Sequence, residues 1–144
     1  MKREFFQELH KNLEKQIFWL SHSIEKSKNI DLKNLEVDDF DIFETLSSRF
    51  ARTIDFLVRK YWRALDSVEF ETQGTLIDVV NRADKRELFS DIERFRELKD
   101  LRNEIVHEYL DDSLEKFFGE IRVDSLELLE ICQTTLSYGE KYAK

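Results

Sequence analysis

Apolar residues recur along this chain at intervals of three and four, the spacing that lines one face of an α-helix. From residue 3 to 28, Phe6, Leu9, Leu13, Ile17, Leu20 and Ile24 form such a stripe, and the polar Ser27-Lys28-Asn29 ends it. A second long helix is predicted behind Val37-Asp38-Asp39, whose acids offer N-cap side chains, with Phe43, Leu46, Phe50, Ile54, Leu57, Tyr61 and Leu65 on its inner face. Gln73-Gly74-Thr75 breaks the pattern, and Leu76, Val79 and Val80 mark a short third helix ending near Arg82. A fourth is expected from Glu87 to His107 with Leu88, Ile92, Phe95, Leu98, Leu101, Ile105 and Val106. A fifth follows Asp111-Asp112-Ser113 with Leu114, Phe117, Phe118, Ile121, Leu128, Leu129 and Leu136. Aromatic residues at these spacings, Trp19 and Trp62 among them, are expected in the core rather than as platforms for stacked bases. The pattern predicts an all-α, antiparallel bundle of four to five helices. It forms one domain over residues 1–144, with no repeat, low-complexity tract or linker.

Composition supports this. Three Gly and no Pro in 144 residues cannot supply the tight turns of a sheet-rich fold. A chain of this size removes roughly 68–70% of its surface from water on folding, enough for a core without disulfides or a structural metal. The one cysteine, Cys132, reads as a small buried hydrophobe, and its solitude suits a reducing cytosol. The start, Met1-Lys2-Arg3-Glu4-Phe5-Phe6, develops no apolar signal region, and the longest apolar run is Ile17-Phe18-Trp19-Leu20. A cytoplasmic protein without a membrane partner is therefore expected.

The net charge of −8 opposes a broad polyanion footprint. Its distribution leaves room for a local one. Residues 49–63 carry Arg49, Arg52, Arg59, Lys60 and Arg63 against Asp55 alone. Arg49, Arg52 and Arg59 are candidate contacts to RNA or to a partner protein, the other reading being a solvated helix face.

The fourth helix breaks its own rule. At about 100° per residue, Arg102 falls in the middle of the apolar stripe. A guanidinium there needs an anion, which a carboxylate on a neighbouring helix or a phosphate in a cleft could supply. Asn103, His107 and Tyr109 follow closely. His107, five residues on, lies about 140° round an ideal helix, so it joins Arg102 only if the arginine reaches round, the helix end loosens or a second subunit faces the site. A histidine there also serves as a cation favouring the helix C-terminus. Chemically, Arg with His and no metal set suits RNA cleavage. The imidazole moves protons at the 2′-hydroxyl and the leaving oxygen, and the guanidinium stabilises charge on the phosphate.

Other motifs lead nowhere. Glu104-Ile105-Val106-His107 matches one Glu-x-x-His unit of a di-iron bundle, but there is no second copy, so no metal and no cofactor is expected. The glycine motifs of phosphate-loop, dinucleotide-binding and α/β-hydrolase folds are missing. His10 and His22 read as surface or packing residues.

The segment Leu101-Arg102-Asn103-Glu104-Ile105-Val106-His107-Glu108-Tyr109 resembles the signature of HEPN domains: Arg, a polar residue, three variable positions and His. It has the Arg-x-x-x-x-His-x-Tyr form of HepT-type toxins, which are encoded beside MNT nucleotidyltransferase antitoxins. Arg49-Phe50, Gly74 and Asp78-Val79-Val80-Asn81-Arg82-Ala83 are similar to the related nucleotidyltransferase substrate-binding proteins, so the resemblance covers residues 40 to 112. It implies a homodimer whose two copies of Arg102 and His107 line a shared cleft. It also implies a metal-independent endoribonuclease that leaves a 2′,3′-cyclic phosphate, with Asn103 positioning the site. Tyr109 would be where the nucleotidyltransferase partner attaches AMP and silences the toxin. The alternative is a non-catalytic partner subunit that holds nucleotide or substrate for the nucleotidyltransferase. A third reading is a purely structural bundle in which Arg102 is one half of a salt bridge.

Overall fold

The structure is a computed structural model that describes residues 2–71, 74–106 and 114–144, and it is all-helical among them. Helix α1 spans Lys2–Ser27 and α2 Val37–Phe56; a single π-helical turn, Leu57–Tyr61, leads into α3, Trp62–Val68. Then follow α4 (Leu76–Lys85), α5 (Ile92–Val106) and α6 (Leu114–Ala143). The backbone stays right-handed helical from α2 to α3, with φ between −61° and −66° at Phe56, Leu57, Tyr61 and Trp62. Residues 37–68 therefore form one rod.

Cross-helix contacts fix the directions. On α1 and α6, Gln7 bonds the Ala143 carbonyl, His10 meets Glu140, and Arg122 donates to the carbonyls of Ser27 and Ile30, so the two run antiparallel. Thr53 to Gln16 and Arg49 to Ser23 make α1 and α2 antiparallel as well. Phe43 stacks on Phe118 at 4.8 Å and Trp62 Nε1 donates to Thr135 Oγ1 at 3.3 Å, so the rod and α6 run parallel across the diagonal. Arg102 to Asp55 and Trp62 to Phe95 set α5 antiparallel to the rod. The long elements thus alternate up and down as a four-helix bundle, with α4 as a short brace.

The expected stripe of α1 is buried, with Ile17 only partly so, and Leu13 and Leu20 have no exposed surface. Trp62 is fully buried, but Trp19 is 49% exposed and flanked by Phe18 at 60%, which corrects the expectation of a core residue. At the π-turn the rod is apolar nearly all round. Ile54, Phe56, Leu57, Val58, Tyr61 and Trp62 are all buried, so α1, α4, α5 and α6 close over it. Cys132 is fully buried and its thiol is pushed up by that burial, as a small hydrophobe's would be.

Helix ends depart from expectation where capping was misread. The N-cap of α2 is Glu36, whose N–H donates to Asp39 Oδ2 at 2.9 Å, so the acids of 37–39 support the first turn rather than start it. Helix α4 runs on to Lys85 and closes with Glu87 N–H to Asp84 O and Leu88 N–H to Ala83 O. That is the Schellman pattern, and it forces Glu87 to φ 60° where glycine is usual. Helix α5 consequently starts at Ile92, capped by Asp91, which accepts from Glu93 N–H at 2.9 Å. Leu88 and Phe89 are core residues of the connection, not of the helix. The rod ends the same way, Phe70 bonding Ser67 and Glu71 bonding Asp66, with Phe70 at φ 65°. A non-glycine residue in that region costs roughly 1–2 kcal/mol.

Polar groups lock the ends of the bundle. Tyr61 Oη lies 2.8 Å from His10 Nδ1, and His10 Nε2 lies 3.0 Å from Glu140 Oε2. His10 is thus a packing residue. Burial works against the Glu69 carboxylate, but hydrogen bonds from Tyr142, Tyr138 and Arg86 outweigh it and hold its carboxyl below the usual range. Gly139 of α6 lets Tyr61 approach: a Cβ there would sit 1.9 Å from Tyr61 Oη and 3.1 Å from Cζ. Gly139→Ala is expected to lower unfolding free energy by about 1–3 kcal/mol. Adding Tyr61→Phe, which removes the nearest clashing atom, should recover part of that loss in denaturant titrations.

Candidate functional site

Phe95, Leu98 and Leu101 bury one face of α5 against the core, which fixes the last turn of the helix beside the rod. Arg102 follows directly on that face. Its guanidinium meets Asp55 side-on, Nε to Oδ1 at 2.8 Å and Nη2 to Oδ2 at 2.7 Å. Nη1 donates to Asn103 Oδ1 at 3.1 Å. The fork geometry is the strong, directional form of an Arg–carboxylate contact. The hydrogen bonds it donates to Asp55, against a smaller desolvation effect, raise the Arg102 pKa, so it stays charged at any working pH.

The pair is not deeply buried: the Arg102 side chain keeps 22% of its surface and Asp55 37%. Arginine has five N–H donors. Three are engaged among the described residues, so two on Nη1 and Nη2 remain for another acceptor. Asp55 thus acts as a splint that aims the guanidinium. The same contact satisfies the charge without any ligand. Asn103 is exposed beside it, and Val106, expected inward, is 51% exposed. His107 and Tyr109 lie outside the described residues.

The candidate basic residues are not gathered on one surface. Arg49 is spent on structure, with Nη1 on the Trp19 carbonyl at 3.1 Å and on Ser23 Oγ at 2.8 Å, and its guanidinium 4.8 Å from the Trp19 ring centre. It straps α1 to α2. Arg52 is exposed, bonds Ser48 Oγ at 2.9 Å, and shares with Arg49, Lys15, Gln16 and Trp19 a hollow of 280 Å³. Arg59 points elsewhere, into a larger cavity of 570 Å³ with Lys60 and Arg63.

Sequence reasoning singled out Arg102 but not its anion. The available signal was Asp55, the one carboxylate in the basic run 49–63, which sits a turn from both Arg52 and Arg59. Its pairing spans 47 residues, which no local pattern reveals. No family model, curated protein or solved structure matches this chain. Among the described residues no helix is long and apolar enough to cross a membrane.

Because the Asp55–Arg102 pair is half-open to solvent, Asp55→Asn is expected to cost about 1 kcal/mol in stability, between the values for exposed and buried pairs. Thermal and urea unfolding of Asp55→Asn and Arg102→Ala measure this. A loss of ~3–5 kcal/mol from either would instead mark the pair as a buried structural staple.

Proposed function

We propose that this protein is a metal-independent endoribonuclease of the HEPN type, working as a homodimer and held in check by an MNT-type nucleotidyltransferase antitoxin. One observation carries the reading: Arg102 is splinted by Asp55 with two N–H donors unengaged among the described residues, beside Asn103 and five residues before His107. A preoriented guanidinium with free donors suits the transition-state charge of phosphoryl transfer, because it need not reorganise as charge develops.

In the reaction, His107 takes the proton of a ribose 2′-hydroxyl as that oxygen attacks the adjacent phosphorus. The bond from phosphorus to the 5′-oxygen breaks, and the leaving oxygen receives a proton from the imidazolium of the second copy's His107. The products are a 2′,3′-cyclic phosphate and a 5′-hydroxyl. Arg102 holds the non-bridging oxygens, and Asn103 steadies the guanidinium. A two-fold cleft also resolves the 140° phase difference between residues 102 and 107, since each copy contributes from its own side. AMP on Tyr109 would place a phosphate and a purine beside the cleft and compete for the same Arg102 donors.

A second reading is favoured by the neutralisation of Arg102: the Asp55 carboxylate already balances its charge. In that reading the dimer is a non-catalytic subunit that presents substrate to a nucleotidyltransferase.

RNA cleavage by wild type and His107→Ala, in EDTA and with melting temperature, oligomeric state and intact mass recorded, separates the two. The nuclease reading expects EDTA-insensitive cutting that leaves cyclic-phosphate ends, with a loss of about 10²-fold or more in His107→Ala at unchanged stability. A dimeric wild type without AMP that cuts no RNA supports the binding-subunit reading instead.

A further inference from the structure

We propose that the cavity between the N-terminal half of α1, the π-turn and α3 holds a segment of single-stranded RNA, one turn along the rod from the Asp55–Arg102 pair. Its volume of 570 Å³ lies in the range of ligand sites. Arg59, Lys60 and Arg63 line one wall, all exposed. Arg59 and Lys60 have no ion-pair or hydrogen-bond partner among the described residues, and Arg63 makes only a long 3.4 Å bond to the Gly74 carbonyl.

The opposing charges do not cancel this wall. Asp66 is answered by Arg82 at 3.0 Å and Arg86 at 2.7 Å. Glu8 and Glu71 also line the cavity, where carboxylates repel phosphate but accept hydrogen bonds from base amino groups. The strand's backbone is thereby confined to the Arg59–Lys60–Arg63 side.

One aromatic ring lines the cavity, and a second stands exposed in the chain segment at its rim. Phe5 lines the cavity and is 58% exposed. Phe70, 87% exposed, stands between the lining residues Val68 and Glu71 in a left-handed conformation that glycine would adopt without strain. The ring adds nothing to the core, so the strain it imposes has no return within the folded chain. Cations that track a backbone, interleaved with exposed rings, are how single strands are gripped without base-specific readout. A free nucleotide shares this phosphate-and-base chemistry. The spread of three cations and two rings favours a strand. The preference for RNA over DNA rests on the ribonuclease reading, and the site itself does not.

The test is fluorescence anisotropy with a labelled 2′-O-methyl hexanucleotide, which has no free 2′-hydroxyl to react. Wild type, Phe70→Gly and the triple variant Arg59→Ala/Lys60→Ala/Arg63→Ala are compared, with AMP as competitor. Phe70→Gly should melt at a higher temperature yet bind about tenfold more weakly, a combination that unfolding cannot produce. The triple variant should flatten the slope of log affinity against log salt by roughly 2. AMP should displace the strand poorly. Wild-type affinity in both variants overturns the proposal, and AMP competing as well as an unlabelled strand reassigns the cavity to free nucleotides. Binding with these sensitivities but no cleavage of ordinary RNA would sink the ribonuclease reading alone. Cleavage by a wild type whose variants bind equally well would sink only this one.

Discussion

The π-turn at Leu57–Tyr61 lets one helix run from Val37 to Val68 and still be apolar almost all round near its C-terminal third. A regular amphipathic helix buries one stripe and offers the other to water. Here an extra residue in the turn widens the buried arc, so α1, α4, α5 and α6 all find apolar surface to cover. Tyr61 and Trp62 are the anchors. The first bonds His10 and packs onto Gly139, and the second lies against Phe89 and Phe95 and donates to Thr135. Fully burying large apolar side chains contributes about 1.5–3 kcal/mol each, so this girdle is a substantial part of the core.

What the girdle leaves outside is charged. Asp55, Arg59 and Lys60 are the side chains that the same stretch shows to solvent, one acid between bases in an otherwise acidic protein. Asp55 receives Arg102 from α5, and Arg59 and Lys60 face the cavity beside α1. On the proposed function, the stretch from Asp55 to Lys60 therefore supplies both the splint of the reacting guanidinium and the first contacts of the strand that reaches it.

The bundle was legible because its stripes are long. The α1 residues from Phe6 to Ile24 and the rod residues from Phe43 to Leu65 repeat over many turns, and tertiary packing only confirmed them. Ends were less legible. Leu88 continues the α5 pattern by coincidence of spacing, yet it belongs to a Schellman closure made by Glu87, a residue with no sequence mark of left-handed backbone. The π-turn leaves no compositional trace either. Trp19 misled because its spacing resembles a core position, whereas its ring is committed to Arg49 at the surface. The inward phase of Arg102 was readable, and its need for an anion followed from electrostatics. Which anion was not readable, since Asp55 lies on another helix.

On the proposed function, Asp55 aims Arg102 rather than merely neutralising it. A double-mutant cycle on RNA cleavage, with Asp55→Asn, Arg102→Ala and both together, tests it most directly. A large loss is expected in Arg102→Ala, a smaller one in Asp55→Asn, and a double variant no worse than Arg102→Ala alone, because the splint has no role without the guanidinium. Full cleavage by Arg102→Ala, or losses that simply multiply, would contradict it.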